Sequence, residues 1–434
     1  MIDIAQEIEV YPADRQVGVQ NPCQARVPMV PTKAAAMAAM TRGRIVRNWD
    51  GERAPRPEPS DICIGNEELG ALLVETIAAV RDGYNARNLA DPEFRALAKT
   101  AVDIANFPED EGSRRLMHGR IVVPGATPRG LLVIAQSRMG RRVWADIVHD
   151  AFGRKVEPIR VVVDGRAAGF WRLPVLRTHW PPGGSLKKYI RTALRDFDSA
   201  TNMAYARRAS TEFFRDEQDC RDSLNSLAIA YNVGLLMVER INTDDASTNA
   251  AQEMWDFLGR FTRKTGIPVL CFTTPGAAAA LSEQSTAAGE LTSSGVRWIA
   301  PEAKGSRRWQ AIASAIFDAY LRRASFPDCP DWFESTLWEQ SLGIHGLAVR
   351  ICDHIDRRLK NEQLAKLNLT LFIALAQQAL VLEQPHLEVV KEIGTSKKRF
   401  SKVSVRRHGD WLPLNHAMTT VPRLVVEHEL KLSS

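Results

Sequence analysis

The stretch from Gly130 to Phe152 reads GLLVIAQSRMGRRVWADIVHDAF. Its first six residues, up to Ala135, form an uninterrupted apolar run, which is typical of a strand buried on both faces in a parallel sheet. From Gly140 onward, apolar side chains recur at helical spacing. The stretch therefore predicts a buried strand, a short loop and a helix in succession.

The same succession is repeated further along the chain. Gly234 to Glu239 (GLLMVE) and Pro268 to Thr273 (PVLCFT) are apolar runs of the same kind, and Ile159 to Val163 and Val175 to Thr178 are also strand-like. Amphipathic helices are predicted between these strands, over residues 185–200, 210–231 and 247–265. Strands that alternate with helices indicate an α/β fold, with a parallel sheet covered by helices on both faces.

Beyond about Arg308 only helical patterns occur, over residues 308–324, 332–339, 344–361 and 369–382. A parallel α/β domain followed by a small helical bundle is the layout of an AAA+ ATPase with its lid. We therefore predict an AAA+ P-loop-type core over residues 66–305 and a helical lid over residues 306–395. Residues 1–65 are rich in proline and predict an extended arm, and residues 396–434 predict a basic tail.

The composition is that of an ordinary globular protein, with 45% hydrophobic and 25% charged residues. The six cysteines are scattered without CxxC or Cys/His clustering, which argues against a zinc site and for reduced thiols. No apolar stretch is long enough to span a membrane, and residues 1–10 lack the basic and apolar regions of a secretory signal. We therefore expect a cytoplasmic protein without a membrane partner.

The loop after the first predicted strand is the place where nucleoside triphosphatases of this layout hold phosphate. Such loops follow the pattern GxxxxGK[ST] and cradle phosphates with backbone N–H groups. In this chain the loop begins at Gln136, and only Gly140 of the pattern is kept. Arg141 occupies the lysine position, where its guanidinium could still contact a phosphate. Arg142 replaces the Ser or Thr that binds Mg²⁺, and a guanidinium cannot ligate a cation.

The strand over residues 235–241 (LLMVERI) stands where a Walker B strand would end in Asp-Glu. Glu239 could still face a metal. Arg240 replaces the acid that polarises the attacking water, and a permanent cation cannot do that. We therefore expect no ATP hydrolysis, while binding of ATP or Mg²⁺ without hydrolysis stays open. A second interpretation also stays open, in which both strand–loop–helix units belong to another kind of α/β protein.

The stretch from Pro174 to Ala277 resembles the TnsC/TniB family of AAA+ transposition regulators. Three segments carry the likeness: residues 174–208 (PVLRTHWPPGGSLKKYIRTALRDFDSATNMAYARR), 232–242 (NVGLLMVERIN) and 255–277 (WDFLGRFTRKTGIPVLCFTTPGA). Thr274 stands at the sensor-1 position, where the family has Gly-Thr-Pro. Residues 341–350 (SLGIHGLAVR) resemble the start of the lid helix that carries sensor 2.

Members of this family are implied to bind ATP, to assemble into rings or filaments on duplex DNA, and to link a target-selecting protein to the transposase. The resemblance thus implies a catalytically degenerate, TnsC-like adaptor that forms homo-oligomers. Residues 289–294 (GELTSS) lack the arginine with which the family contacts a neighbouring subunit, although Arg297 lies close by. Two alternatives stay open. One is a divergent ATPase that uses Arg141 and Glu239 and forms ATP-dependent filaments on DNA, and the other is a regulator of a true TnsC partner that does not touch DNA.

Two basic groups are candidate DNA contacts. Lys187, Lys188 and Arg191 begin one predicted helix, where cations and a helix N-terminus together favour phosphate. Lys397, Lys398 and Arg399 belong to the tail. The tail contains eight Lys and Arg residues and three acidic residues, so most of the net charge of +6 lies there. The first group could equally be a solvated helix face, and the tail, with Phe400 and Trp411 between its cations, could dock on an acidic partner.

Overall fold

The computed structural model describes residues 21–41, 62–106, 121–163, 166–205, 217–322, 327–361, 367–395 and 406–418 of the 434-residue chain. Its strands are β1 (Gly130–Ala135), β2 (Glu157–Val163), β3 (Arg166–Arg172), β4 (Val175–His179), β5 (Leu235–Ile241), β6 (Val269–Thr273) and β7 (Gly295–Ile299). Five of these described strands form one sheet in the order β4-β5-β6-β1-β7, and all neighbouring pairs are parallel. The predicted α/β fold class, built on a parallel sheet, is confirmed.

The strands at the centre of the sheet are those with continuous apolar runs. Every residue of β1 and of β6 is buried, because each strand lies between two others and helices cover the sheet. At the edge, β7 buries only Ile299, and the Val296 side chain is 47% exposed. An edge strand needs no continuous apolar run, which explains why the sequence pattern did not predict β7.

A hairpin of β2 and β3 lies outside the parallel sheet. The two strands pair antiparallel, with Pro158 opposite Trp171. Ile159 and Val161 are buried while Pro158 and Arg160 are exposed, which is the alternation of a half-buried ribbon. The strand predicted over residues 159–163 exists, but the prediction that it joins the parallel sheet is wrong, since its partner β3 follows directly in the chain.

Helices cover the sheet and form the lid, and within the described residues none combines the length and the apolar character needed to cross a membrane. The helices before the lid are α1 (Lys33–Ala39), α2 (Glu67–Gly83), α3 (Pro92–Asn106), α4 (Arg141–Phe152), α5 (Leu186–Thr201), α6 (Glu217–Ala230), α7 (Thr243–Ala246), α8 (Asn249–Thr265), α9 (Pro275–Ser282) and α10 (Ser285–Leu291). Those that follow are α11 (Arg307–Ile316), α12 (Phe333–Ser341), α13 (His345–Asn361), α14 (Leu369–Ala379), α15 (Gln384–Thr395) and the short α16 (Leu414–Met418).

The lid, α11 to α15, has its own aromatic core. A π-helical turn over Phe317–Leu321 continues α11. The Phe333 ring packs against the rings of Phe317 and Phe372, with centroids 5.2 and 5.6 Å away. The Trp309 indole donates to the Glu334 carbonyl over 3.1 Å, so this buried ring keeps a partner for its N–H. The predicted helical lid is confirmed.

Residues 21–41 fold against the core, although the sequence predicts an extended arm over residues 1–65. Thr32 caps α1, and Ala36 within α1 is fully buried. Gly70 on α2 permits this close packing, since a Cβ there would lie 3.1 Å from the Met37 backbone nitrogen. Of the rest of the predicted arm, residues 62–65 are described, with Ile62 and Cys63 buried, and residues 1–20 and 42–61 lie outside the described residues.

The close packing of β1 on α10 can be tested at Gly130, where a Cβ would lie 2.2 Å from the Leu291 Cα. We expect Gly130→Ala to push α10 away from the sheet and to lower the free energy of unfolding by about 1–3 kcal/mol. Gly169→Ala is the matched control, because a Cβ at Gly169 in the hairpin would meet no atom within 4 Å. Chemical denaturation measures both variants, and equal midpoints would contradict the tight contact.

Candidate functional site

The loop predicted to hold phosphate connects β1 to α4. Arg138 (φ +65°) and Gly140 (φ +96°) both adopt the left-handed conformation, which reverses the chain direction within a few residues. Gly140 is the N-cap of α4 and Arg141 is its first residue. The chain thus passes from strand to turn to helix here, the arrangement in which helix N-termini hold phosphate in other α/β proteins.

Two other parts of the chain cover this loop. From the lid, the Gly346 backbone N–H at the start of α13 donates to the Arg138 carbonyl over 2.8 Å. From the predicted basic tail, residues 406–418, which we name the docked segment, lie on the loop. The Ser137 N–H donates to the Asp410 carbonyl over 2.7 Å, and the Gln136 side-chain amide donates to the Trp411 carbonyl.

The docked segment also contacts the loops that follow β5 and β6. The Asp410 carboxylate accepts from the backbone N–H of Thr243 (2.8 Å) and from its hydroxyl (2.6 Å). The Gly276 N–H at the start of α9 donates to the Gly409 carbonyl over 3.0 Å. The docked segment thus contacts three loops at the carboxyl edge of the sheet. The Trp411 ring, which the sequence analysis places among basic residues of the tail, is buried.

Arg141, at the position of the P-loop lysine, is half-buried beneath this peptide. Its guanidinium donates to the Ile241 carbonyl over 3.3 Å. Burial lowers the pKa of Arg141 to about 10, and the charges of Asp410 and Glu239 oppose that shift. The two carboxylates thus supply the negative charge that a bound phosphate would otherwise bring to this arginine.

Glu239, the candidate Walker B carboxylate, is buried and already paired. Arg177 on the neighbouring strand β4 donates to both of its oxygens, with Nη2 to Oε2 at 3.1 Å. Arg177 also pairs with Asp146 on α4. Burial alone would lower the pKa of Arg177, but the hydrogen bonds and charges of Glu239 and Asp146 raise it above its ordinary value. The carboxylate that could have faced a metal is therefore committed to an arginine that the sequence analysis did not single out.

Arg240 and Arg142 do not point into the covered loop. Arg240 is exposed and left-handed (φ +60°), at an irregularity in the pairing of β5 with β6 between Val238 and Ile241. A positive φ is strained for a residue with a side chain, and here it turns the guanidinium outward. Arg142, in the first turn of α4, is exposed as well. Both positions thus lack the metal-binding and water-polarising groups of an ATPase, as the sequence predicts.

Thr274, at the candidate sensor-1 position, serves a structural role. Its side chain caps α9 by accepting from the Ala277 N–H, and its hydroxyl lies 3.4 Å from that of Thr243. Within the described residues, no group of three or more His, Cys, Asp or Glu side chains could hold a metal ion. The described residues around the loop therefore do not fit a magnesium–nucleotide complex. The docked segment occupies hydrogen-bonding groups of the loop, and Arg177 occupies the Glu239 carboxylate.

Two arginines near segments of the family resemblance are also paired within the chain: Arg297, which lies close to residues 289–294, and Arg350, at the end of residues 341–350. Arg297 on β7 forms ion pairs with Glu75 and Glu68 of α2. Arg350 on α13 pairs with Glu383, which lies in the turn before α15. Each arginine is therefore neutralised by a carboxylate of its own chain.

The predicted DNA contacts on α5 are exposed. Ser185 caps this helix, and its apolar face is buried through Tyr189, Ile190 and Phe197 among others. The opposite face carries the exposed cations Lys187, Lys188 and Arg191, and Arg195 extends the stripe by one turn. Arg195 lies beyond the first turns of the helix, to which the predicted group was confined. The other candidates, Lys397, Lys398 and Arg399, lie outside the described residues.

No family model matches the sequence, and no curated protein matches it. The ORC2 protein of Aeropyrum pernix is similar at 10% identity over 76% of this chain and 98% of that chain, with a TM-score of 0.39. A Walker-type ATPase of Pyrococcus abyssi is similar at 13% identity over 74% and 87% of the two chains, with a TM-score of 0.37. A RuvB variant of Thermotoga maritima is similar at 11% identity over 79% and 91%, with a TM-score of 0.33. We draw no conclusion about function from similarities of this size.

The Arg177–Glu239 pair gives a stability test of the site. Arg177→Met leaves the buried Glu239 carboxylate without a counter-charge, so we expect a loss of about 3 kcal/mol in the free energy of unfolding. Arg154→Met is the matched control, because Arg154 and Asp150 pair on the surface and such pairs contribute less than about 1 kcal/mol. Denaturation of Arg177→Met, Arg154→Met and Arg177→Met/Glu239→Met measures the effect. The double variant should recover most of the loss, and equal costs for the two single variants would contradict the assignment.

Proposed function

We propose that the protein is a TnsC-like AAA+ protein that does not hydrolyse ATP and acts as a DNA-binding adaptor in transposition. In this role it links a target-selecting protein to the transposase and assembles with further copies of itself on duplex DNA. The observation that carries the proposal is a contrast between two surfaces. The groups an ATPase needs are paired inside the chain, whereas the cations on α5 are free of ion pairs with described carboxylates.

The loss of hydrolysis follows from the chemistry at three positions. Glu239 is neutralised by Arg177, and Arg142 and Arg240 stand where a hydroxyl and an acid are required. A guanidinium neither ligates Mg²⁺ nor accepts a proton from water. These facts support an adaptor and disfavour the alternative of a divergent ATPase that uses Arg141 and Glu239.

Binding to DNA is supported by the stripe of four cations along α5. Lysine and arginine contacts to phosphate fix a protein on the duplex without reading its sequence. A protein that binds DNA in this way leaves the choice of site to a partner, which is what an adaptor requires. The transposition role rests on the order and spacing of the segments between Pro174 and Ala277 that resemble the TnsC/TniB family.

We expect no measurable ATP hydrolysis by the purified protein, with or without duplex DNA. The physical reason is the absence of an available acid and of a magnesium-binding hydroxyl at positions 240 and 142. Phosphate release is the measurement, and Arg141→Ala is the control for contaminating activity. Turnover that Arg141→Ala abolishes would contradict the proposal and favour the divergent ATPase.

DNA binding should not depend on sequence and should weaken steeply with salt, because each neutralised phosphate releases counterions. The slope of log affinity against log salt concentration should become less negative by roughly 3 when Lys187, Lys188 and Arg191 are all changed to alanine. The matched control is the alanine triple variant of Lys99, Lys155 and Arg307, which removes the same charge from exposed positions elsewhere. Fluorescence anisotropy on two unrelated duplexes measures both variants.

A third alanine variant, at Lys397, Lys398 and Arg399, locates the interface. If it abolishes binding while the α5 variant behaves like the wild type, the DNA surface lies in the tail instead of on α5. If the wild type binds no duplex at about 50 mM salt, where phosphate contacts are strong, the DNA half of the proposal fails. That outcome favours a regulator that acts only through protein partners.

A further inference from the structure

We infer that the docked segment, residues 406–418, takes the place of a nucleotide: it closes the phosphate-binding loop and joins the core to the lid. The loop becomes accessible to anions only when the segment leaves. This inference concerns regulation of the loop and does not depend on binding to DNA.

The first argument is the choice of groups that the docked segment contacts. It accepts hydrogen bonds from Gln136 and Ser137 after β1, from Thr243 after β5 and from Gly276 after β6. These are the loops at the carboxyl ends of parallel strands, where α/β proteins bind ligands. In these hydrogen bonds the segment supplies the acceptors, which are the backbone carbonyls of Gly409, Asp410 and Trp411 and the Asp410 carboxylate, as an anionic ligand would.

The second argument is shape. Gly276 and Gly409 approach so closely that a Cβ on Gly276 would lie 2.9 Å from the Gly409 Cα and 2.2 Å from the Thr243 hydroxyl oxygen. His408 and Trp411 of the segment are buried. A peptide that lay loosely on the surface would need no glycine at this contact and would leave its largest ring exposed. The segment is therefore fitted to the loop.

The third argument is that the same segment holds the lid. The His408 and His386 rings share a hydrogen bond between their Nδ1 atoms, 2.9 Å apart, and His386 belongs to α15. The Trp411 ring stacks on His386 with centroids 5.3 Å apart and an angle of 18° between the planes. The segment thus contacts the core on one side and the lid on the other, so its departure would remove one set of contacts between them.

Two features indicate that the contact is reversible. The Gln136 side chain is 1% exposed, and its Oε1 atom has no hydrogen-bond partner, which makes the closed state less stable than a fully paired one. A cavity of about 510 Å³ lies beside the segment, lined by Gln136, Trp298, Leu342, Val390 and Pro413 among others. The segment leaves this largely apolar space unfilled.

Hydrogen exchange on the full-length chain tests whether the segment covers the loop. The Ser137 and Gly276 amides donate to the segment, so they should be protected in the wild type. Trp411→Ala removes packing without changing charge and should accelerate exchange at both amides at least tenfold. Protection at Leu270 in β6 reports whether the variant still folds. Equal exchange of the Ser137 and Gly276 amides in the wild type and in Trp411→Ala would overturn the inference.

Anion binding tests whether covering the loop matters. Calorimetry with inorganic tripolyphosphate should detect a binding site in Trp411→Ala and in Asp410→Ala that the wild type lacks, since the cations on α5 are the same in all three proteins. Asp244→Ala is the matched control for charge, because Asp244 is an exposed acid next to Thr243 that does not contact the segment. It should behave like the wild type. Faster exchange without any gain in tripolyphosphate binding, or equal gains in Asp244→Ala and Trp411→Ala, would overturn the inference.

Discussion

A carboxylate buried at the end of a parallel strand has to be neutralised, and in this protein Arg177 neutralises Glu239. The pair joins β4 to β5, and through Asp146 the same guanidinium also holds α4. Because α4 begins at the loop after β1, one ion pair fixes the strand, the helix and the loop relative to one another. Because Arg177 donates to both oxygens of Glu239, this carboxylate is not available to bind a metal or to polarise a water molecule.

Several hydrogen-bonding groups of the loop next to this pair also have their partners within the chain. The Ser137 N–H and the Gln136 amide of the loop donate to the docked segment, and the Gly346 N–H of the lid donates to the Arg138 carbonyl of the loop. Buried donors without partners are costly, so an α/β protein that keeps the loop geometry must supply acceptors from somewhere. The Asp410 carboxylate and the carbonyls around it are acceptors of that kind. A stable core and lid thus do not require a bound ligand.

The DNA surface that we propose is separate from this closed region. The cations on α5 lie on the face opposite to the buried Tyr189 and Phe197, so contact with phosphate there does not require rearrangement of the core. Arg297 is paired internally with Glu68 and Glu75, which leaves its guanidinium engaged within its own chain. Assembly into larger particles would then depend on other surfaces.

The sequence by itself determined the features that are written in short stretches: the apolar runs of β1, β5 and β6, the helical periodicity of the lid, the substitutions at residues 141, 142 and 240, and the basic start of α5. Each of these depends on neighbours within one helix or strand, so a local pattern reveals it. The tertiary structure alone decided the partner of Glu239, the outward direction of Arg240 and the cover over the loop. The physical reason is distance along the chain. Arg177 and Glu239 are 62 residues apart, Thr243 and Asp410 are 167 apart, and Gln136 and Trp411 are 275 apart. No periodicity in the sequence encodes such contacts, because they exist only once the sheet order has brought the strand ends together.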